Sequence, residues 1–215
     1  MAVTSLVLGI LGLFSCGITA LVGLILGIIA MVRIKNSQGS LKGNGLALSG
    51  TIVSGIFLLM LPILAAMLLP ALASAKQKAM EVKCITNEKQ LAVALIIYSN
   101  DNTNHFPAAA KWCDAIKEEI GGQEQVFKCP NSNPDSRCDY AFNSKLDGLP
   151  VSAVSHPATT VLIFESDAGW NATGGRESLT AVPRHVRGKF CVVAFADGHV
   201  EAVTQSRLNT LRWDP

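Results

Sequence analysis

Cysteine and histidine carry most of the chemistry this chain of 215 residues could do. Four of its cysteines (Cys84, Cys113, Cys129 and Cys138) lie in one stretch of mixed polarity. None is spaced as Cys-x-x-Cys, so a zinc ribbon is not expected. Outside the cytoplasm these thiols can form disulfides, and four cysteines allow three pairings. In a reducing compartment they would stay free. Cys191 sits in an apolar run and reads as a small buried side chain. A second group is His185 with Asp197, Gly198 and His199. It could bind a metal or a small ligand. Two histidines and one aspartate do not by themselves define a coordination geometry, and Asp-Gly also reads as a turn. Three oxygen-rich segments (Asn100–Asn104, Asp135–Asp139 and Glu165–Asp167) have the hard-ligand chemistry that calcium prefers. None has the spacing of a dedicated calcium loop. Calcium is the ion these segments would suit, the metal of the His185 group is left open, and no other cofactor is expected. Ser166, His185 and Asp197 contain the elements of a hydrolytic triad, but no nucleophile-elbow sequence accompanies them. The chain is read as non-enzymatic. Trp170, in a loop with Asn171, Gly174 and Gly175, is either an exposed contact residue or a cover for the end of a sheet.

The elements that must position these residues follow from charge and periodicity. No Asp or Glu precedes Glu81, and Arg33, Lys35 and Lys42 are the only charged side chains before Lys76. Two apolar stretches, one before Arg33 and one over Leu46–Leu72, are each long enough for a ~30 Å hydrocarbon core. The first begins without a basic region and exceeds a signal-peptide core in length, so it is expected to remain as a span. Ser15-Cys16-Gly17 interrupts it. Gly9, Gly12, Gly23, Gly27, Gly50 and Ser54 would let the two spans approach closely. The basic loop Arg33–Gly45 favours a cytoplasmic position by the positive-inside rule, while Lys76, Lys78 and Lys83 weigh the other way. From residue 73 onward 15 Lys and Arg balance 16 Asp and Glu, which gives no basic surplus for nucleic acid. The organisation is thus a two-span region over 1–72 and an extracytoplasmic α+β domain over 73–215, with the lipid bilayer as first partner.

Within the second region, Ala73–Ser99 lacks Pro and Gly, and Cys84, Asn87, Leu91, Ala94 and Tyr98 recur at helical steps with Glu88 and Leu95 beside them. The second span is expected to continue as one helix into this domain, bending at Pro62 or Pro70. Trp112–Ile120 reads as a short helix stopped by Gly121-Gly122. Gln123–Pro150 reads as irregular. Val161–Ser166 reads as a strand. Lys189–Ala196 and His199–Thr204 read as a hairpin through a type I′ turn at Asp197-Gly198. Both alternating sets of the first arm are apolar, which predicts a central strand covered on both faces.

Two stretches resemble known families. Residues 4–60 resemble a widespread bacterial two-span membrane domain of unknown function. Residues 63–215 resemble the type IV pilin-like proteins, in particular pseudopilin-like proteins with a C-terminal His-x9-Asp-Gly signature. The second resemblance rests on Ile63–Ala79, Cys84–Pro107, Phe127–Pro130, Tyr140–Asn143, Val161–Asp167, and His185 followed by Ala194–Val200. It implies a long helix, half in the membrane, laid on a small antiparallel sheet outside the bacterial inner membrane. The implied role is structural or assembly-related, alongside pilin-like subunits or a type II secretion or pilus-like machine. A ligand- or metal-binding module on the same scaffold is the second reading. Cys84 and Cys129 fall in matching segments, which implies the pairs Cys84–Cys129 and Cys113–Cys138. Two departures bear on filament assembly. Val53 stands where the family's glutamate would be, within a stretch lacking the prepilin cleavage motif, and eleven residues rather than nine separate His185 from Asp197.

Overall fold

In the computed structural model, residue 7 and residues 18–37, 43–179, 185 and 190–215 are described. The beginning of the first apolar run, its Ser15-Cys16-Gly17 break, Gly9, Gly12 and residues 38–42 of the basic loop lie outside them. The chain divides into two compact units, Met1–Ser74 and Ala75–Pro215.

In the first unit, helix α1 spans Ile18–Asn36 and ends on Arg33 and Lys35, cations suited to a helix C-terminus. Helix α2 spans Asn44–Asp101, 58 residues that cross the boundary between the units. Both helices are long and apolar enough to cross a membrane. Ala20, Gly23, Gly27, Ala30, Ala47, Gly50 and Ser54 are the buried positions among the described residues here. A Cβ built at Gly55 would stand 4.0 Å from Leu24 Cδ1. Small side chains therefore let α1 and the start of α2 approach closely, as in membrane helix pairs. The larger apolar residues, Leu59, Leu64, Met67, Leu68, Leu69 and Leu72 among them, point outward and are exposed. Pro62 and Pro70 lie inside α2 without ending it.

In the second unit the same helix changes character. Cys84, Asn87, Glu88, Leu91, Ala92, Ala94, Leu95 and Ser99 are buried, the three- and four-residue spacing of one helix face. That face belongs to a core with Phe106, Trp112, Ile116, Phe127, Tyr140, Phe142, Leu162, Ile163, Val192 and Ala194. Trp112 is its centre. It meets Phe127 edge-on at 5.8 Å and Phe142 at 6.3 Å, and its Nε1 donates to the Ala172 carbonyl at 2.9 Å. Aromatic pairs of this kind add about 0.5–1.5 kcal/mol to the burial itself.

The sheet has five strands in the order β3-β1-β2-β4-β5: β1 Tyr140–Asn143, β2 Val161–Glu165, β3 Thr173–Gly174, β4 Phe190–Phe195 and β5 Val200–Thr204. The sheet is mixed rather than antiparallel, because β3 pairs with β1 in parallel. A short loop from β2 brings β3 to the far side of β1. Strand β1 was not expected; its four residues, YAFN, are all buried and show no alternation to read. The Trp112 helix is also shorter than its pattern suggests, ending at Ala115. The chain then passes through turns to Gly121 and Gly122, both at positive φ.

Strand β4 is interior, paired with β2 on one side and β5 on the other, and both its faces are covered as expected. Val192 and Ala194 face the helix-side core. Cys191, Val193 and Phe195 face a second core with Ala141, Val161, Phe164, Val203, Leu208 and Leu211. In β2 a register shift between Val161 and Ile163 breaks strict alternation. Leu162 and Ile163 consequently share one core, while Val161 and Phe164 share the other. The C-terminal tail closes the second core: Val161 N–H donates to the Arg212 carbonyl at 2.9 Å, and Trp213 meets Phe164 edge-on at 5.1 Å. Buried Asn143 fastens that tail, its Nδ2 donating to the carbonyls of Val161 and Trp213.

The hairpin turn is not type I′. Gly198 N–H donates to the Phe195 carbonyl at 2.8 Å, and Phe195 N–H donates to the His199 carbonyl at 2.9 Å. Gly198 is at φ 84°, whereas Asp197 is not among the residues at positive φ. This is a three-residue hairpin loop with a glycine bulge, the arrangement that needs one left-handed residue instead of two.

Candidate functional site

The sequence grouped His185 with Asp197, Gly198 and His199, but the fold separates them. His185 pairs with Phe190, where β4 begins, with N–H to carbonyl distances of 3.3 and 3.4 Å in the two directions. Asp197, Gly198 and His199 form the turn at the other end of β4. There His199 stacks on Phe195 at 4.2 Å, and its Nδ1 lies 2.6 Å from Asp197 Oδ1. Lys89 Nζ donates to the Gly198 carbonyl at 2.6 Å, tying the turn to α2. Burial pushes the Asp197 carboxyl up, but hydrogen bonds from the His199 backbone and ring outweigh it, so its pKa is lowered.

His185 instead joins Cys84, Cys129 and Glu165 in a buried cluster whose ligand atoms all lie within 4.8 Å of one another. Four different elements supply it. Cys84 comes from the buried face of α2. Cys129 follows the short 3-10 turn Glu124–Phe127. Glu165 ends β2, and His185 precedes β4. Cys84 and Cys129 form a disulfide with Cα atoms 5.1 Å apart. The Cys129 backbone is held on both sides. Its N–H donates to Asp139 Oδ2 at 2.8 Å, and its carbonyl accepts from Ser132 Oγ at 2.7 Å. Asn87 Nδ2 donates to the Lys128 carbonyl at 2.7 Å and draws the loop onto the helix.

Glu165 uses both carboxylate oxygens. Oε1 is 2.6 Å from His185 Nε2, a separation that requires a proton between them, and Oε2 accepts from Val192 N–H at 3.0 Å. His185 Nε2 is also 3.8 Å from Cys129 Sγ. Both side chains of this pair are buried, with 1% and 0% exposure. Glu88, one helical turn after Cys84, is buried too, and neither of its oxygens has a hydrogen-bond partner of normal geometry. Burial pushes its carboxyl pKa well up, the Glu165 charge pushes it further, and the Ala194 backbone amide opposes both only weakly. Burial, followed by the Glu88 and Glu165 charges, likewise raises Tyr140, whose hydroxyl donates to the Cys84 carbonyl at 3.4 Å.

The remaining candidates have other places. Cys113 and Cys138 are buried thiols with Sγ atoms 3.8 Å apart, adjacent but not bonded. Burial, with the neighbouring Cys138 thiol, raises the Cys113 pKa. Cys113 Sγ also accepts from Asn171 N–H. Trp170 covers the core: it meets Phe127 at 4.8 Å, carries Arg137 over its ring at 3.9 Å, and donates from Nε1 to Asp114 Oδ1 at 3.0 Å. The three oxygen-rich segments do separate work. Asn104 accepts at its carbonyl from Val151 N–H, Asp139 caps Cys129, and Glu165 holds His185. Ser166 Oγ donates to the Ser178 carbonyl at 2.9 Å. Glu165 and Glu88 were visible in the sequence only as part of an acidic loop and as a neighbour of an apolar helix face. The usable signal was an acid on that face four residues after a cysteine.

Residues 1–65 match the family model described as a domain of unknown function, DUF4190. That segment holds α1 and the start of α2, and none of the cluster. No curated protein matches the chain. No solved structure matches it either.

Proposed function

We propose that this protein is a non-enzymatic, membrane-anchored member of the pilin-like group, holding its α+β domain on the extracytoplasmic side of a bacterial inner membrane. The role is structural or assembly-related, with other pilin-like subunits or secretion-system components as partners. One observation carries this reading: α2 is a single helix whose two parts suit two solvents. Between Leu46 and Leu72 most of its large apolar side chains are exposed, Met67 at 73%, whereas Cys84, Leu91 and Leu95 are at 0%. Exposed apolar surface of that length is stable in lipid, not in water. The second half of the same helix is the spine of a packed domain, as in the proteins that residues 63–215 resemble. The Cys84–Cys129 disulfide suits an oxidising compartment.

The test is protease treatment of intact spheroplasts expressing the full chain. Thiols are then counted under denaturing conditions, with and without reduction. Cleavage within the exposed segment around Asp135–Arg137, with two thiols appearing only after reduction, supports the reading. A domain that is protected until lysis, with every thiol free, rejects it. Co-isolation with pilin-like or secretion-system subunits after crosslinking separates an assembly role from a solitary anchor.

A further inference from the structure

We propose that Cys84, Cys129, Glu165 and His185 constitute a zinc site in the reduced chain, and that the Cys84–Cys129 disulfide is the alternative, metal-free closure of the same site. The donor set is two thiolates, an imidazole nitrogen and a carboxylate oxygen, which is the mix zinc accepts in four-coordinate protein sites. With metal–ligand distances of about 2.0–2.3 Å, neighbouring ligand atoms in a tetrahedron stand roughly 3.3–3.8 Å apart. All four ligand atoms here already lie within 4.8 Å of one another, and His185 Nε2 is 3.8 Å from Cys129 Sγ. Four separate elements converge on them, so the site is built by the fold and not by a local loop. The groups behind the ligands are in place as well. Val192 N–H holds the second oxygen of Glu165, and Asp139 and Ser132 fix the Cys129 backbone. Such supporting bonds orient metal ligands.

Glu88 supplies an independent observation. It is a fully buried carboxyl on the same helix face as Cys84, it feels the Glu165 charge, and apart from a weak approach of the Ala194 amide neither oxygen has a hydrogen-bond partner of normal geometry. Buried polar atoms are almost always partnered, and a cation beside Glu165 is the kind of group that such oxygens lack.

The two closures exclude each other, because sulfurs bonded to one another are not thiolates. Reducing the disulfide takes two electrons and two protons: a dithiol supplies both and leaves as its own disulfide, whereas a phosphine supplies the electrons, water supplies the protons and the oxygen, and the phosphine leaves as its oxide. Zinc binding then displaces the two thiol protons. Because Cys84, Cys129, Glu165 and His185 are all buried, the choice between closures is made as the domain folds.

The experiment is cell-free synthesis of the full chain into detergent micelles under a phosphine reductant with Co²⁺, the spectroscopic substitute for zinc. A parallel reaction under oxidising conditions supplies folded disulfide-form protein. The reduced protein should carry one cobalt per chain, with thiolate-to-cobalt charge-transfer absorption and tetrahedral visible bands. The oxidised protein should carry none. His185→Ala should weaken cobalt binding at least ~10-fold, and Cys129→Ser, which leaves one of the two thiolates, should remove roughly half of the charge-transfer intensity. Zn²⁺ should raise the melting temperature of the reduced wild type and leave the oxidised wild type unmoved. Four outcomes overturn the proposal: no stoichiometric cobalt, cobalt without thiolate bands, equal binding by Cys84→Ser/Cys129→Ser, or a reduced chain that fails to fold with Zn²⁺ while the oxidised chain folds.

Discussion

The two ends of β4 each carry a histidine 2.6 Å from a carboxylate oxygen, and the two pairs differ in almost everything else. His199 and Asp197 are neighbours in a turn, 44% and 36% exposed; His185 and Glu165 come from different elements and are 1% and 0% exposed. An exposed ion pair contributes about 0–1 kcal/mol, because water screens it and both side chains lose freedom. Removing one member of a buried pair costs about 3–5 kcal/mol, because the other is left without a partner in a medium that cannot solvate it. Equal distances thus mark a turn ornament at one end of the strand and a structural commitment at the other.

That contrast can be broken by substitution, read as unfolding of the full chain in detergent followed by tryptophan fluorescence. The largest effect is expected for Glu165→Ala, which strands both His185 and the Val192 N–H and should cost about 3–5 kcal/mol. Glu165→Gln keeps an acceptor for Val192 and should recover part of that loss. If Glu165→Ala costs no more than His199→Ala, the burial argument fails. Next is the disulfide, which spans 45 residues of sequence. Cys84→Ser/Cys129→Ser in metal-free buffer should cost about 4 kcal/mol by chain entropy. A loss under ~1 kcal/mol would mean that the neighbouring packing alone holds the loop.

Glu88→Gln should stabilise the domain at neutral pH by about 1–2 kcal/mol, since it replaces a buried acid with a neutral group of the same shape. The pH dependence fixes the sign. The folded-state pKa of Glu88 is raised above its ordinary value of 4.5 by burial and then by Glu165. Its favourable contribution is therefore complete below about that pH and is lost as pH rises through the raised value. The advantage of Glu88→Gln should shrink on acidification towards pH 4.5 and below. A variant whose advantage is flat with pH would rule this out. Gly198→Ala should cost about 1 kcal/mol or somewhat more. The residue sits at φ 84°, and an added Cβ would fall 2.7 Å from Ile96 Cδ1. The smallest effect is expected for His199→Ala, at most ~1 kcal/mol and weakened by salt. A cost above ~2 kcal/mol would show that the two ends of β4 are less different than their exposure indicates.

Periodicity and composition were enough to read the apolar stretches, the long helix with its buried face at Cys84, Asn87, Leu91 and Ala94, the VLIFE strand, and β4 covered on both sides. Each of those signals lies within a few residues of chain. Strand β1 was too short and too uniformly apolar to show a period, and β3 is two residues recruited by a loop. Asp197-Gly198 does not fix the turn type, because Asp-Gly serves equally well when only the glycine is left-handed. The candidate site was half legible. The residue types mark His185, Cys84 and Cys129, but closeness in sequence and a shared signature point His185 to Asp197 instead of Glu165.

By itself, the sequence determined where the chain is apolar, where it is balanced in charge, and which helix face must be buried, because those properties are sums over neighbouring residues. Tertiary structure alone decided that His185 meets Glu165 rather than Asp197, that the Cys84–Cys129 pair lies against them, and that Glu88 is buried beside them with no partner of normal geometry. Those contacts join elements 20 to 56 residues apart. At such separations local spacing carries no distance information, and the pairing follows from strand order and the packing of one helix face on one sheet.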